Sequence, residues 1–133
     1  MYIIYTDGGC TKGRGSWSAI INDSEISGTV PFTTSNRMEL YAAIKAFGTL
    51  PNDAEVQLFS DSTYLVKGLN SWIACWKKRG WKKKGSQLKN LDLWQELDIQ
   101  KSRLKIKAKW VPRGQNSKAD RLAGEARVKF WGI

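Results

Sequence analysis

The chain has 133 residues, of which 41% are hydrophobic and 11% aromatic, and it carries a net charge of +10. This composition predicts one folded domain over residues 1–133, which excludes intrinsic disorder, and no apolar run approaches the ~20 residues of a membrane-spanning helix. The sequence contains no histidine, which excludes Ser-His-Asp and Cys-His triads and histidine-rich zinc sites.

The first half of the chain predicts three hairpin strands and a helix. A short aromatic and β-branched strand begins at Tyr2 and is expected to end at the turn Asp7-Gly8-Gly9. Alternating apolar and polar residues over 17–30 add two antiparallel strands. Apolar residues at helical spacing then follow over 34–50, with capping residues at the start and Pro51 as the stop.

The second half alternates strands with helices. A strand over 56–60 is followed by a helix that Ser62 can cap, and a later helix begins near Asn90. Residues 104–110 form a strand with one lysine face, which suits the edge of a sheet. A last helix begins at 116–117. The order predicts an α/β fold: a five-stranded mixed sheet, with three antiparallel hairpin strands and two parallel additions, flanked by helices.

A basic protrusion is expected at about residues 72–90. Residues 67–133 carry a net charge of +13, whereas residues 1–66 carry −3. Cations neutralise phosphates and indole rings stack on bases or sugars, so the stretch favours nucleic-acid binding over a merely solvated charge run. The residues expected to bind nucleic acid there are Trp72, Lys77, Lys78, Arg79, Trp81, Lys82, Lys83 and Lys84.

Four carboxylates stand at positions where side chains can converge. Asp7 and Asp61 follow two strands that we expect to be parallel neighbours, and ligands bind at that edge of open α/β sheets. Glu39 and Asp120 lie near the starts of two helices. Each acid alone also has a structural explanation, as a turn residue or as one half of a capping box.

Together the four acids indicate a metal site. Clustered carboxylates repel one another unless cations compensate, and hard oxygen ligands suit Mg²⁺ or Mn²⁺. Two such ions can activate a water and stabilise the leaving oxygen of a phosphodiester. A negative pocket in a positive protein therefore suits hydrolysis of a polyanion.

Six segments of this chain resemble the type 1 ribonuclease H family, and the resemblance covers nearly the whole length. The matching segments are Tyr5-Thr6-Asp7-Gly8-Gly9-Cys10, Thr34 to Leu40, Ser60 to Leu65, Trp72 to Trp81, Lys89 to Trp94, and Trp110-Val111 with Ala119 to Ala123. The resemblance implies an endonuclease that cuts the RNA strand of an RNA–DNA hybrid and leaves 3′-hydroxyl and 5′-phosphate ends. It implies two Mg²⁺ ions, or Mn²⁺, bound by the catalytic acids Asp7, Glu39, Asp61 and Asp120.

The resemblance also implies contacts that distinguish RNA from DNA. Ser35, Asn36 and Thr63 match positions that read the 2′-hydroxyl, and Gly8 and Cys10 match positions of close backbone approach to the RNA strand. Thr34 matches a position that holds a DNA phosphate, and Trp72 matches an aromatic that packs on deoxyribose. Asn36 also remains interpretable as a cap, and Trp72 as a core residue.

The loop over 112–118 departs from the family because it lacks a histidine. Arg113 is the nearest substitute, as a phosphate-binding cation, or it is a plain surface residue. Three other functions stay open: a non-catalytic nucleic-acid-binding module, a junction-resolving nuclease, and a domain of a reverse transcriptase. We expect a monomer. We expect it in the cytoplasm, because the two cysteines make no disulfide framework and the N-terminus lacks a signal-peptide pattern.

Overall fold

The computed structural model describes residues 1–82, 85 and 87–133. Within these residues, five strands form one mixed sheet in the order β3-β2-β1-β4-β5. The strands are β1 (Tyr2–Thr11), β2 (Arg14–Ile21), β3 (Ser24–Val30), β4 (Glu55–Ser60) and β5 (Lys105–Trp110). The first three pair antiparallel, and β4 and β5 add in parallel to β1. The expected α/β architecture is confirmed, with the lysine-faced β5 at the edge.

Helices cover both faces of this sheet. They are α1 (Ser35–Gly48), α2 (Thr63–Lys67), α3 (Ile73–Lys78), α4 (Leu91–Arg103) and α5 (Ser117–Trp131), with a π-helical segment at Gly68–Trp72 and a 3₁₀ turn at Arg113–Gln115. Ala19 of β2 packs in the core beneath α1, whereas its neighbour Ser18 bonds to α5. Because successive side chains of a strand point to opposite faces, α1 and α5 lie on opposite sides of the sheet.

The first strand is longer than the sequence predicts. It continues past the expected stop at Asp7 to Thr11, with Gly8 opposite Trp17 in β2. A β-carbon on Gly8 would lie only 2.7 Å from the backbone nitrogen of Glu39. The glycine therefore marks a close approach of α1 to a continuing strand rather than a turn.

Helix α1 begins at a threonine cap. The Thr34 hydroxyl accepts a hydrogen bond from the Arg37 amide at 3.2 Å, so Asn36 lies inside the first turn and is not the cap. Glu39 lies in the next turn, and its side chain turns toward β1. The helix therefore places the carboxyl group of Glu39 close to that of Asp7 on β1.

The segment from Ser62 to Lys78 is not one regular helix. Ser62 caps α2 as expected, but the helix widens into the π-helical segment before α3 begins. Gly68, where the wider turn starts, has no side chain, and a β-carbon there would collide with the ring of Trp94. The fully buried Trp94 thus packs directly on this backbone. None of the helices in the described residues is long and apolar enough to cross a membrane.

Candidate active site

Three carboxylates from three different elements meet at one edge of the sheet. Oxygen atoms of Asp7, Glu39 and Asp61 all lie within 4.8 Å of one another. Asp7 and Asp61 come together because β1 and β4 run parallel with Tyr5 opposite Phe59, so each strand reaches its aspartate two residues later. The convergence of distant acids that the sequence predicts is therefore present for these three.

The fourth acid, Asp120, lines the same cleft from α5. Two hydrogen bonds fix this helix on the sheet: the Ser18 hydroxyl donates to the Ala119 carbonyl at 2.6 Å, and the Asn116 amide donates to the Thr6 carbonyl at 2.8 Å. The Asp120 carboxylate lies 3.3 Å from the guanidinium of Arg113. Asp120 thus pairs with the loop residue Arg113, whereas the alternative explanation of this acid was a capping box with Ser117.

Burial and mutual repulsion keep protons on two of these acids. Burial, followed by the charges of Asp7 and Asp61, raises the pKa of Glu39 to about 9, against a smaller lowering by the Gly8 backbone hydrogen bond. Burial, followed by the charge of Asp61, raises the pKa of Asp7 to about 7. Without a cation, Glu39 is therefore neutral at pH 7.

For Asp61, neighbouring groups offset part of the rise in pKa that burial causes. Burial raises its pKa, but the positive charge of Arg113 and a hydrogen bond from Asn116 both lower it. Asn116 is 1% exposed and donates a hydrogen bond to the Thr6 carbonyl, so it ties the start of α5 to β1. The position of Asn116 before α5 predicts a helix cap, but its side chain makes no capping hydrogen bond.

The acids fit a divalent cation. Glu39 is only 9% exposed, and its Oε1 is buried without a hydrogen-bond partner among the described residues. A buried carboxylate oxygen with no donor is unfavourable, and a bound cation would satisfy it. Oxygen ligands from carboxylates suit Mg²⁺ and Mn²⁺.

The acids open into a cleft of about 600 Å³. Ser35, Asn36, Thr63 and Arg113, all expected as site residues, line it together with the backbone of Gly8. The cleft is also lined by residues that the sequence analysis did not select, namely Ser16, Tyr64, Trp110 and Arg127. Of these, Arg127 was detectable, since it lies seven residues after Asp120 and therefore on the same helix face.

Two expected contact residues serve the local structure. The Cys10 thiol donates to the Thr33 carbonyl at 3.3 Å, and Thr34 caps α1. Gly8 faces α1. The neighbouring Gly9 is the glycine that leaves open space where a side chain would be.

The basic stretch begins on an aromatic cluster. Trp72 and Trp76 are half-buried and pack with Tyr64 and Trp94. Tyr64, Trp72 and Trp76, with Leu88 and Lys89, line a second concave surface of about 350 Å³. Lys77, Lys78, Arg79 and Lys82 are exposed and Trp81 is half-buried, whereas Lys83 and Lys84 lie outside the described residues.

Comparison with known proteins agrees with this geometry. The family profile described as RNase H matches residues 1–128. Ribonuclease HI of Pseudomonas aeruginosa is 44% identical over 133 aligned positions, which cover 91% of this chain and 89% of that protein.

Solved structures share the fold. LC9-RNase H1, described as a type 1 RNase H with the type 2 active-site motif, is 29% identical with a TM-score of 0.80, covering 94% of this chain and 71% of that one. LC11-RNase H1, solved in complex with an RNA/DNA hybrid, is 26% identical with a TM-score of 0.76, covering 97% and 98%. With three acids gathered at the sheet edge and a family profile matching nearly the whole length, the chain belongs to the RNase H family.

Proposed function

We propose that this protein is an endoribonuclease that hydrolyses the RNA strand of RNA–DNA hybrids, leaving 3′-hydroxyl and 5′-phosphate ends. The observation that carries the proposal is the meeting of Asp7, Glu39 and Asp61 in an open cleft, in a chain of the RNase H family. A relative with the same fold was solved with an RNA/DNA hybrid bound. A binder of nucleic acid gains nothing from clustered negative charge beside phosphate, which favours catalysis.

The four acids would hold divalent cations, Mg²⁺ in the first place and Mn²⁺ as an alternative. Asp7, Glu39 and Asp61 offer the closest oxygens, and Asp120 adds a carboxylate in the same cleft. When bound, such ions activate a water and stabilise the leaving oxygen of the phosphodiester. Water then attacks phosphorus, the bond to O3′ breaks, and O3′ takes a proton.

The chain's own side chains would orient the substrate. Ser35, Asn36 and Thr63 reach the cleft with short polar groups that suit hydrogen bonds to the 2′-hydroxyl, which distinguishes RNA from DNA. Arg113 would bind a phosphate oxygen, because an arginine stays protonated near neutrality and cannot act as the acid or base that histidine would be.

The basic protrusion would hold the second strand of the hybrid. Trp72 and Lys89 line the second concave surface, which shares Tyr64 with the active-site cleft. The exposed cations Lys77, Lys78, Arg79 and Lys82 would neutralise phosphates, with Trp81, Lys83 and Lys84 continuing the stretch. We also propose that the hybrid contacts Thr34, Cys10 and the backbone near Gly8. We propose that residues 1–133 act as one monomeric unit in the cytoplasm.

The test offers labelled RNA–DNA hybrid, duplex DNA and duplex RNA to the protein, each with Mg²⁺ and with chelator. The proposal expects cleavage of the RNA strand of the hybrid alone, with Mg²⁺ alone, and 5′-phosphate on the products. Binding of the hybrid without Mg²⁺-dependent cleavage would support the non-catalytic alternative and overturn the proposal. Equal cleavage of duplex DNA, which has no 2′-hydroxyl, would refute the role given to Ser35, Asn36 and Thr63.

A further inference from the structure

Arg127 lies on the same face of α5 as Asp120. Seven residues separate the two, which is about two helical turns and about 10.5 Å along the axis. Both side chains line the active-site cleft, and Ala123 and Gly124 line it between them. One helix face therefore carries an acid of the cluster at one end and a cation at the other.

The Nε atom of Arg127 is buried and has no acceptor in the described part of the chain. Other arginines are satisfied: Arg37 binds the Asp92 carboxylate, and Arg103 donates to the carbonyls of Phe47 and Leu50. A buried donor left unpaired is unfavourable, so an anionic ligand at Arg127 would relieve a cost that the folded chain carries.

The floor between the two residues is open. A β-carbon on Gly124 would have no atom within 4 Å, so nothing obstructs a chain lying along this face. Asp120 does not compete for Arg127, because Arg113 already lies 3.3 Å from its carboxylate. Arg127 is thus a cation that faces the substrate cleft and is free to take a ligand from it.

We propose that Arg127 binds a non-scissile phosphate of the RNA strand. At about 3.4 Å of rise per nucleotide, a separation of about 10.5 Å places that phosphate about three nucleotides from the one held at the acids. The planar guanidinium suits two parallel hydrogen bonds to phosphate oxygens, which a lysine cannot make. This inference rests on the proposed function and adds a substrate-binding position to the same cleft.

The first experiment compares two arginines of the same helix. Arg121 carries the same charge, but its side chain is 66% exposed, lies 3.6 Å from Glu125 and is not among the residues that line the active-site cleft. Hybrid affinity is measured in chelator over a range of salt concentrations for wild type, Arg127→Ala, Arg127→Lys and Arg121→Ala. We expect Arg127→Ala to weaken binding about tenfold and to reduce the salt slope by about 0.9, with Arg127→Lys between.

Arg121→Ala is expected to bind as wild type does, and thermal unfolding checks that all variants are folded. Equal affinities for Arg127→Ala and Arg121→Ala would overturn the inference. If wild type cleaves the hybrid in a parallel assay with Mg²⁺ in place of chelator, the proposed function stands even so. Failure of wild type to cleave any hybrid would instead remove the proposed function itself.

The second experiment locates the phosphate. A neutral methylphosphonate linkage replaces one RNA-strand phosphodiester at a time, outside the cleavage position. Wild type and Arg121→Ala should lose affinity when the replaced linkage is about three nucleotides from that position, whereas Arg127→Ala should be insensitive there. Equal sensitivity of Arg127→Ala and wild type at every linkage would refute the contact.

Discussion

The carboxyl groups of Asp7 and Glu39 meet across the contact between β1 and α1, where an oxygen atom of each lies within 4.8 Å of the other. The pKa of Glu39 is raised to about 9 and that of Asp7 to about 7, in both cases first by burial. Glu39 therefore carries the proton of the pair at neutral pH when no cation is bound. In the cation-free protein, the bound protons reduce the repulsion among the three clustered carboxyl groups.

This arrangement predicts that the cation-free protein loses stability as the pH rises. The unfolded values are 3.8 for Asp7 and 4.5 for Glu39, so the native state binds more protons than the unfolded state above pH ~4. The stabilising effect of these protons is full below those values and is lost as the pH rises through about 7 and about 9. In chelator, the melting temperature should be lower at pH 8 than at pH 5.5, and Mg²⁺ should restore it.

Glu39→Gln provides the matched variant for this measurement. A neutral amide keeps the size and needs no proton, so in chelator at pH 8 it should be more stable than wild type by at least about 1 kcal/mol, or several degrees. It should also show a flatter dependence of melting temperature on pH. The same dependence of melting temperature on pH in both proteins would contradict the protonation of Glu39 at neutral pH.

A second prediction concerns the metal ligands. Asp61→Asn removes one charged ligand but keeps the shape, so cleavage should fall at least about 1,000-fold. Hybrid affinity in chelator should stay within a few-fold of wild type, because the lost charge repelled phosphate. Asp23→Asn, at an exposed turn between β2 and β3, provides the control and should cleave normally. Full activity of Asp61→Asn would refute the assignment of this acid.

Arg113→Ala tests the replacement for the missing histidine. The variant should lower kcat about tenfold while calorimetry still detects metal binding, because Arg113 pairs with Asp120 and is not itself a metal ligand. Since the charge of Arg113 lowers the pKa of Asp61, its removal should also move the acidic limb of the kcat profile to higher pH. Arg113→Lys should keep that limb near its original position. An unchanged turnover and an unmoved limb would make Arg113 a plain surface residue.

A fourth prediction concerns the basic stretch. Replacing Lys78 and Lys82 with alanine should weaken hybrid binding and reduce the magnitude of the salt slope by up to about 1.8, since each phosphate contact contributes about 0.9. Replacing Lys105 and Lys107 on the edge strand changes the net charge equally and should leave the slope near that of wild type. Identical slopes for the two double variants would exclude a specific role for the protrusion.

The meeting of Asp7 and Asp61 could be predicted from the sequence, because it follows from the parallel direction of β1 and β4. Asp7 and Asp61 each lie two residues after a paired position of two parallel neighbouring strands, Tyr5 and Phe59, so chain direction alone brings them together. The roles of Gly8 and Asn116 could not be predicted, since a glycine after a strand usually marks a turn and an asparagine before a helix usually caps it. In both cases a tertiary contact replaces the local role: Gly8 packs against α1, and Asn116 bonds to Thr6 of β1.

A final prediction separates the two adjacent glycines of β1. A β-carbon on Gly8 would meet the α1 backbone, at 2.7 Å from the Glu39 nitrogen, whereas one on Gly9 would have no atom within 4 Å. Gly8→Ala should therefore push α1 from the sheet, cost about 1–3 kcal/mol of unfolding free energy, and weaken Mg²⁺ binding by moving Glu39. Gly9→Ala should retain wild-type stability and Mg²⁺ affinity. Thermal unfolding and Mg²⁺ titration measure both effects, and a stable Gly8→Ala variant with normal Mg²⁺ affinity would show that the close approach of α1 does not position the acid.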